Sequence, residues 1–438
     1  MSQQTAGEWK NWAGNVTSQP RHVANPETVD ELVHDITTAS QAGRPVKTVG
    51  SSHSFTEITA TDGVQISLRQ LTGLTDVDYD TGLVTVLGGT SLAELNVCLA
   101  AHGLSLENMG DIDRQTITGA ISTGTHGTGA KFGGLATQVR GLTMITAAGS
   151  QLRCSGAENP DLFMAARVGL GALGVITEVT LQCVPTFRLQ AVEGPARLEN
   201  VLDGFEDMIT ENDHVEFSWF PHTDRTHTKR NNQVRHDHVD QRLPRWRYLL
   251  DDELLSNGLF EGINRLGRLH PSLIPRINQL SARALSPREF TDVSYAVFTS
   301  PRRVRFKESE YALPRAAIAP VLRALRSWID DHDERICFPV QVRVAAPDDI
   351  WLSTAYQRET GYIAVHHYFK VDHRRYFAAF ESIVAEHQGR PHWGKMHTLE
   401  ADQLRRLYPR FDQFVRIRDR LDPGHTFDNA YLCRVLGS

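Results

Sequence analysis

Several features that would identify a protein class are missing from this sequence. Its 438 residues contain five cysteines, scattered, odd in number and without a Cys-x-x-Cys pair, so we expect neither a disulfide framework nor a zinc site. The formal net charge of -6 gives no basic stripe, which argues against nucleic acid as a partner. No uncharged apolar run is long enough to span a bilayer, and the polar N-terminus lacks a signal-peptide core. These absences predict a cytoplasmic protein without a membrane span, and the length favours two domains.

Common nucleotide and metal motifs are also lacking. The segment 169–174 matches G-x-G-x-x-G literally, but that fingerprint works only after a strand and at the start of a helix. Here the order is reversed, because residues 161–168 have a helical pattern and residues 175–181 form a clear strand. We therefore reject NAD binding. There is no P-loop and no His-Glu-x-x-His pair, and we expect no metal.

The most distinctive stretch is a serine-rich turn at residues 49–55 that carries one histidine. A β-branched strand at 46–49 leads into glycine and three serines, whose exposed backbone N–H groups would form a cradle for an anion. His53 lies in the middle of this turn. A single loop histidine is more often bonded to a neighbouring carbonyl than functional, so the turn alone leaves both interpretations open.

A second unusual stretch covers residues 116–129, where nearly every side chain is small or hydroxylated. Such a composition suits a backbone that lies flat against a ligand and donates N–H and O–H groups to it. A flexible Gly/Ser linker is the alternative, but the regularly spaced Ile117 and Ile121 are anchors that linkers do not carry.

The pattern of elements predicts an α+β fold. Helices are expected from residue 28 and at 91–102, with short strands at 46–49, 63–68 and 83–87 between them. After residue 185 the composition shifts towards a second α+β domain, an antiparallel sheet with helices on one face. Its predicted strands are 215–220, 337–344 and 362–369; its predicted helices lie within 251–285, 313–330 and 375–387; and the polar run 222–247 is predicted to be an exposed loop.

Polar groups cluster on the late strands. Gln341 and Arg343 alternate with valines and so point to one face, where a buried arginine is costly unless it meets an anion or a ligand oxygen. The alternative for Arg343 is a salt bridge to Asp348 or Asp349. Three further polar residues, His366, His367 and Tyr368, follow on the next predicted strand. Lys395 supplies a cation after it.

Together these motifs resemble the aldonolactone oxidase group of the vanillyl-alcohol-oxidase-type flavoproteins, which includes gulono-1,4-lactone, arabinono-1,4-lactone and alditol oxidases. The residues that carry the resemblance are the turn 50–54, the segment 119–129, Arg343 with 345–349, the segment 391–395, and 421–423 with Phe427 and Asn429. The resemblance implies a two-domain fold of that type. It consists of an FAD-binding domain at 1–186, a cap (substrate) domain with an antiparallel sheet at 187–395, and a C-terminal segment at 396–438 that returns to the FAD domain.

The cofactor that the resemblance implies is FAD, bound covalently through His53. Covalent attachment prevents loss of the flavin and raises its reduction potential. By the same resemblance the other cofactor-binding residues are Val49, Gly50, Ser51, Ser52, Ser54, Asp111, Thr116, Gly119, Thr123, Gly124, Thr125, His126, Ile176 and Lys395.

The implied reaction is oxidation of the CH–OH group of a gulono-, galactono- or arabinono-type 1,4-lactone, by hydride transfer to the flavin N5. Oxygen is the implied electron acceptor and hydrogen peroxide the product. The implied catalytic residues are Arg343, Gln341, Lys395 and His366, and the implied substrate-binding residues are Asp111, Gln341, Arg343 and Tyr368.

One position departs from the family pattern. Relatives carry a glutamate two residues before the arginine, whereas this chain has Gln341, whose amide cannot accept a proton at neutral pH. If the glutamate chiefly orients the substrate, Gln341 keeps activity; if it is the base, then His366, His367 or a water must replace it. Two alternatives therefore stay open, an oxidase of alditols or other polyols and a non-catalytic flavin-binding protein.

Overall fold

The computed structural model describes residues 7–234, 260–300 and 304–437. The helices are Val29–Gln41, Leu92–Ala101, Ile117–Ser122, Pro160–Ala166, Leu198–Asp203, Phe205–Glu211, Phe260–Leu269, Ile274–Ala284, Ser294–Phe298, Ile318–Asp331, Arg374–Ala385, Ala401–Leu407, Phe411–Leu421 and Ala430–Leu436. None of these described helices is long and apolar enough to cross a membrane.

A small parallel sheet delivers the serine-rich turn. Its strands lie in the order His22–Ala24, Val64–Ser67 and Val46–Val49. Parallel neighbours need a crossover, and the helix Val29–Gln41 supplies it. Thr28 caps that helix by accepting a hydrogen bond from the Glu31 N–H, and its apolar face packs on the sheet. The helix and the strand predicted here are confirmed.

A five-stranded antiparallel sheet forms the second layer of the N-terminal region. Its strands lie in the order Gln151–Ser155, Val139–Ile145, Val175–Gln182, Leu83–Leu87 and Leu74–Asp78. The helix Leu92–Ala101 covers part of it and begins with a capping box between Ser91 and Glu94. Mixed parallel and antiparallel pairing with segregated helices confirms the predicted α+β class.

The rest of the chain is organised around an eight-stranded antiparallel sheet. Its strands lie in the order Arg288–Val293, Arg188–Arg197, Arg225–Val234, His214–Trp219, Val340–Ala345, Thr360–Tyr368, Phe306–Pro314 and Arg390–Pro391. One face is apolar and is covered by the helices Ile318–Asp331 and Arg374–Ala385. Burying each leucine or isoleucine of these helices contributes about 1.5–3 kcal/mol.

The other face of this sheet carries charged residues opposite one another. Arg288 faces Glu193, and Glu193 faces Lys229 on the next strand. Lys229 in turn faces Glu216, which contacts Arg343. Charges of opposite sign therefore alternate across five neighbouring strands, and the row ends at the residue predicted to bind the substrate.

The predicted exposed loop at 222–247 is wrong in part. Arg225–Val234 is an interior strand that pairs with neighbours on both sides. Its polar side chains misled the prediction: Thr226 and Thr228 are buried but donate hydrogen bonds to carbonyls of the adjacent strand. Residues 235–247, and the first part of the predicted helical stretch at 251–259, lie outside the described residues. The predicted helix at 313–330 begins only at residue 318, because the strand Phe306–Pro314 precedes it.

The C-terminal chain packs against the N-terminal sheet. The Val46 N–H donates to the Thr426 carbonyl at 2.7 Å, and Lys47 donates through Nζ to the Phe427 carbonyl at 2.9 Å. Lys47 is almost fully buried. Burial lowers its pKa to about 8, although the carboxylates of Asp428 and Asp422 oppose the shift. These contacts agree with a C-terminal segment that returns to the first domain, while the boundaries at 186/187 and 395/396 stay predictions.

Candidate active site

A first cavity of about 330 Å³ lies in the N-terminal region. Several short segments line it, and they are rich in glycine and in residues with small side chains. A ligand can therefore approach the main chain closely. Most of the predicted cofactor residues line it, namely Val49, Gly50, Ser51, Ser52, His53, Ser54, Thr116, Gly119, Thr123 and Ile176.

The turn and the second unusual segment touch in this cavity. A Cβ on Gly50 would lie 2.5 Å from Oγ1 of Thr116, so no other residue fits there. The segment 116–129 is not flat as predicted, because Ile117–Ser122 is a short helix that Thr116 caps by accepting the Gly119 N–H. The spacing of Ile117 and Ile121 is the helical i, i+4 spacing, and both are fully buried. These anchors fix the helix against the core.

The G-x-G-x-x-G look-alike contributes to the cavity in another way. It lies between the helix Pro160–Ala166 and the strand Val175–Gln182, the predicted order. Leu170 and Gly171 have φ of +56° and +64°, and both line the cavity together with Gly174. Lys47 lines it as well, a residue that sequence reasoning did not single out.

His53 lies between the first cavity and a second one and lines both. Its ring centroid is 5.4 Å from that of Trp12. Ser52, with φ of +59°, accepts a hydrogen bond at its carbonyl from the Trp12 N–H at 2.8 Å, which fixes the turn. Burial lowers the pKa of His53 to about 4, helped by the charges of Lys395 and Arg114. The imidazole is therefore neutral at neutral pH.

The second cavity, of about 70 Å³, adjoins the first at His53, Ser54, Gln115 and Thr123. It brings together predicted residues from distant parts of the chain: Asp111, Thr125, His126, Gln341, Arg343, His366 and Lys395. It also contains Trp12, Glu308, Glu310 and His392, which were not predicted as site residues.

Arg343 is held by two carboxylates in this cavity. Nη2 lies 2.8 Å from Oδ2 of Asp111, and Nε donates to Oε2 of Glu216 at 2.8 Å. Burial would lower the pKa of the guanidinium, but Asp111 and Glu216 more than offset this and raise it above its ordinary value. The alternative prediction, a salt bridge from Arg343 to Asp348 or Asp349, is therefore wrong.

Those two aspartates have other partners, because they lie past the end of the strand that carries Arg343. Asp349 pairs with Arg167 at 2.9 Å, and Asp348 accepts a hydrogen bond from the Ser353 hydroxyl. Gln341 shares the face of Arg343, as predicted, since its Nε2 donates to the same Glu216 oxygen at 3.1 Å.

Two buried glutamates on the strand Phe306–Pro314 each face a histidine. Nε2 of His366 lies 3.5 Å from Oε1 of Glu308, and Nε2 of His126 lies 3.2 Å from Oε1 of Glu310. Lys395 also donates to Glu308 through Nζ. Burial would raise the pKa of both carboxyls, but Lys395 near Glu308 and His126 near Glu310 lower it below the usual range. Both glutamates are therefore carboxylates.

Backbone carbonyls fix the tautomer of both histidines. Nδ1 of His366 lies 3.2 Å from the Pro339 carbonyl, and Nδ1 of His126 lies 2.9 Å from the Gly127 carbonyl. A carbonyl oxygen only accepts, so Nδ1 carries the proton in each ring and Nε2 faces the carboxylate. A proton at Nε2 of either ring is stabilised by the carboxylate that it faces, and of the two rings His366 lies at the longer distance from its carboxylate.

His126, Glu310 and His392 lie close enough together to hold a metal ion, with ligand atoms within 4.8 Å of one another. Their hydrogen bonds point to a different role. Nδ1 of His392 accepts the Gly394 N–H at 3.0 Å, so Nε2 of that ring carries a hydrogen and is not a lone-pair donor. Burial lowers the pKa of His392 to about 4. We assign the trio to hydrogen bonding.

Some predicted residues lie outside this arrangement. Tyr368 lines neither cavity, and its hydroxyl donates to Oε1 of Glu261 at 2.7 Å, so its predicted contact with the substrate is not supported. His367 points to the opposite face of its strand, 6.2 Å from the ring of Tyr376, and cannot reach the cavity. Gly124 lines neither cavity, and Asp111 lines only the second.

A sequence signal for the missed carboxylates existed. Glu308 and Glu310 stand two residues apart on the strand Phe306–Pro314 and so share one face, the same spacing that identified Gln341 and Arg343. Glu216 is likewise the only acid in the strand His214–Trp219. An ionised group on the inner face of a strand is expensive unless it is paired, and here the pairing forms the site.

Comparisons with known proteins agree with this geometry. A family model described as D-arabinono-1,4-lactone oxidase matches residues 179–435, and an FAD binding domain matches residues 20–155. The L-gulono-1,4-lactone dehydrogenase of Mycobacterium tuberculosis is 43% identical over 98% of this chain and 99% of its own. The L-gulonolactone oxidase of Bos taurus is 35% identical over 98% of both chains.

Among solved structures, a cholesterol oxidase from B. sterolicum has a TM-score of 0.81 and covers 98% of this chain and 97% of its own. Its sequence identity is 17%. At that level the likeness concerns the fold alone, and it supports the predicted fold class with its antiparallel sheet.

Proposed function

Since the chain belongs to the D-arabinono-1,4-lactone oxidase family of FAD-linked oxidoreductases, we propose that it oxidises the CH–OH group of a sugar-1,4-lactone of the gulono, galactono or arabinono type. The observation that carries the proposal is the small polar cavity joined to the larger glycine-rich one at His53. A polyhydroxylated substrate needs several donors and acceptors close together, and the second cavity offers them.

The first cavity fits FAD. Its lining of glycines and hydroxyl side chains leaves backbone N–H groups within reach of a pyrophosphate, and at Gly50 a larger residue would collide with Thr116. When bound, FAD accepts the two electrons and the hydrogen that leave the substrate carbon. We propose His53 as the covalent anchor, because its neutral ring has an unprotonated nitrogen and borders both cavities.

The groups that act on the substrate would be Arg343, Gln341 and His366. Arg343 is a fixed cation that stabilises negative charge developing on the substrate oxygen. Gln341 hydrogen-bonds a hydroxyl group. His366 takes up the hydroxyl proton at Nε2, and the resulting imidazolium pairs with Glu308. Lys395 neutralises Glu308 beforehand, so that this carboxylate stays ionised in the buried site.

The proposed role of His366 explains how the enzyme can work with a glutamine at position 341. A glutamine there is compatible with turnover if the proton goes to His366, because the amide only has to orient the substrate. Oxygen is the proposed electron acceptor, with hydrogen peroxide as product. Relatives are named both oxidase and dehydrogenase, so the acceptor needs its own measurement.

The test is steady-state turnover of the purified flavoprotein with a panel of aldonolactones and alditols. Peroxide release would be measured with oxygen as acceptor, and dye reduction would be measured in its absence. We expect the lactones to be the better substrates. Faster turnover of alditols would assign the protein to polyol oxidation, and no anaerobic bleaching of the flavin by any member of the panel would favour a non-catalytic flavoprotein.

A further inference from the structure

We propose that Glu216 is a positioning residue that sets the orientation of both Gln341 and Arg343 towards the substrate. The inference rests on the proposed function, since it concerns the same cavity. Glu216 itself is not among the described residues that line the cavity, so it would act through the two side chains that do.

One carboxylate oxygen makes both contacts. Oε2 of Glu216 accepts from Nε of Arg343 at 2.8 Å and from Nε2 of Gln341 at 3.1 Å. Arg343 and Gln341 stand two residues apart on one strand, and Glu216 stands on the neighbouring strand, where Phe217 pairs with Val342. The register therefore puts Glu216 beside both polar side chains and no apolar one.

For Gln341 the contact decides which end of the amide faces the substrate. A carboxylate only accepts hydrogen bonds, so the amide atom that faces Glu216 is the NH2 group. The amide oxygen then points the other way, into the cavity that Gln341 lines. Gln341 therefore offers an acceptor to a substrate hydroxyl, and without Glu216 the amide could present either end.

For Arg343 the contact fixes the plane of the guanidinium. Nε is held by Glu216 and Nη2 by Asp111, each at 2.8 Å, so the side chain has two anchors in different directions. A charge-assisted hydrogen bond of this kind is stronger than a neutral one and restricts the rotamer. A cation held in one position before the substrate arrives stabilises developing charge without reorganising.

Neighbouring charges keep Glu216 ionised. The titratable groups that face it are Arg343, Lys229, Asp111 and, more distantly, His227. Burial raises the pKa of the Glu216 carboxyl, but Arg343 and Lys229 outweigh both burial and Asp111, and the pKa lies below its usual value. Lys229 is the next residue in the row of alternating charges, directly opposite Glu216.

Exchanging the two residues gives a sharp test. Q341E would place a second carboxylate within about the same 3.1 Å of Oε2 of Glu216, and two such charges repel. E216Q would keep one acceptor oxygen but remove the negative charge, so Arg343 would lose one of its two ion pairs and the new amide could turn either end towards Gln341. The double variant E216Q/Q341E restores one carboxylate and one amide to the pair. We expect both single variants to lower kcat/KM about tenfold or more and the double variant to recover most of that loss.

The matched control is E193Q. Glu193 is buried on the same face of the same sheet and pairs with Arg288 at 2.5 Å, and its other charged partners among the described residues are Lys229 and His227. We expect its kcat/KM to stay within about threefold of wild type after correction for the folded, flavin-loaded fraction. Equal losses in E216Q and E193Q, or no recovery in the double variant, would overturn the assignment.

A second readout does not depend on turnover. In Q341E the two carboxylates repel more as they ionise, so its Tm relative to wild type should fall between pH 5 and pH 8, and the double variant should not show this fall. If wild type oxidises no lactone or alditol, the proposed function fails, yet this thermal cycle still decides whether Glu216 interacts with position 341. Identical pH profiles for Q341E and the double variant would contradict the inference.

Discussion

His126 and Glu310 face each other in the interior of the protein: Nε2 of the imidazole lies 3.2 Å from Oε1 of the carboxylate, and both side chains are less than 10% exposed. The second ring nitrogen of His126 meets the Gly127 carbonyl at 2.9 Å. Both neighbours are hydrogen-bond acceptors, so each ring nitrogen of His126 faces an oxygen atom. The pair joins the segment 116–129 to the eight-stranded sheet, and both residues line the second cavity.

This pair predicts a strong effect of Glu310→Gln on stability. The substitution removes the carboxylate that faces Nε2 of His126, and the loss of a buried hydrogen bond to a charged group costs about 1.5–3 kcal/mol. Because the pKa of Glu310 is lowered in the folded state, its stabilisation is present above the pKa of the unfolded chain and is lost as the pH falls towards the folded pKa. The difference from wild type should therefore be large at pH 7 and smaller at pH 4.

Urea unfolding of both proteins at the two pH values measures this difference. Glu386→Gln is the control, since Glu386 is an exposed acid on the surface. We expect the control to change the free energy of unfolding by less than about 0.5 kcal/mol. A Glu310→Gln protein as stable as the control at pH 7 would contradict a stabilising contact between Glu310 and His126.

Adjacent histidines on one strand give a matched pair for the proton acceptor. His366 faces the second cavity and Glu308, whereas His367 faces the helices on the other side. General base catalysis contributes about 10²–10⁴-fold, so His366→Gln should lower kcat by roughly that factor while His367→Gln leaves it within about threefold. Stopped-flow measurement of flavin reduction isolates the step.

The same measurement distinguishes a base from a binding residue. If His366 only binds the substrate, its loss raises KM and leaves the limiting rate of flavin reduction unchanged. A kinetic isotope effect of the substrate carbon–hydrogen bond should grow in His366→Gln if proton removal and hydrogen transfer are coupled. Equal rates for the two glutamine variants would refute His366 as the acceptor.

His53→Ala should separate flavin binding from flavin attachment. The first cavity is lined by many other residues, so we expect the variant to bind FAD and remain yellow. After acid precipitation, however, the flavin should stay with wild-type protein and leave the variant. The absorbance of the supernatant measures the amount of released flavin. His34→Ala, which changes an exposed helical histidine, should behave as wild type; release of flavin from wild type would rule out the covalent anchor.

The outcome for the strand of Arg343 shows what local pattern can and cannot predict. Alternation of polar and apolar residues correctly put Gln341 and Arg343 on one face. The partners of Arg343 could not be found in this way, because Asp111 and Glu216 lie 232 and 127 positions away in the chain and meet it only through tertiary packing. Nearby Asp348 and Asp349 were the natural but wrong choice.

Strands with many polar residues are the second feature that the local sequence pattern does not predict. The segment 225–234 carries so many hydrophilic residues that a loop was the simplest prediction, yet hydrogen bonds to both neighbouring strands satisfy it. Conversely, Tyr368 was correctly placed on a strand with His366, but the alternation gives only the face and not the position along the cavity. Its hydroxyl lies beyond the polar groups, bonded to Glu261.

Lys47 supplies the last prediction, because a buried lysine makes stability depend on pH in an unusual range. Its pKa is about 8 in the folded protein against 10.5 for the ordinary side chain, so the folded state binds fewer protons and stability rises with pH between these values. The difference corresponds to roughly 3 kcal/mol. Lys47→Met should abolish this part of the pH dependence while it removes the hydrogen bond to the Phe427 carbonyl. Urea unfolding from pH 7.5 to 10 compares the two proteins, with Lys131→Met as control, since Lys131 is exposed. Parallel curves for wild type and Lys47→Met would show that Lys47 does not titrate in this range.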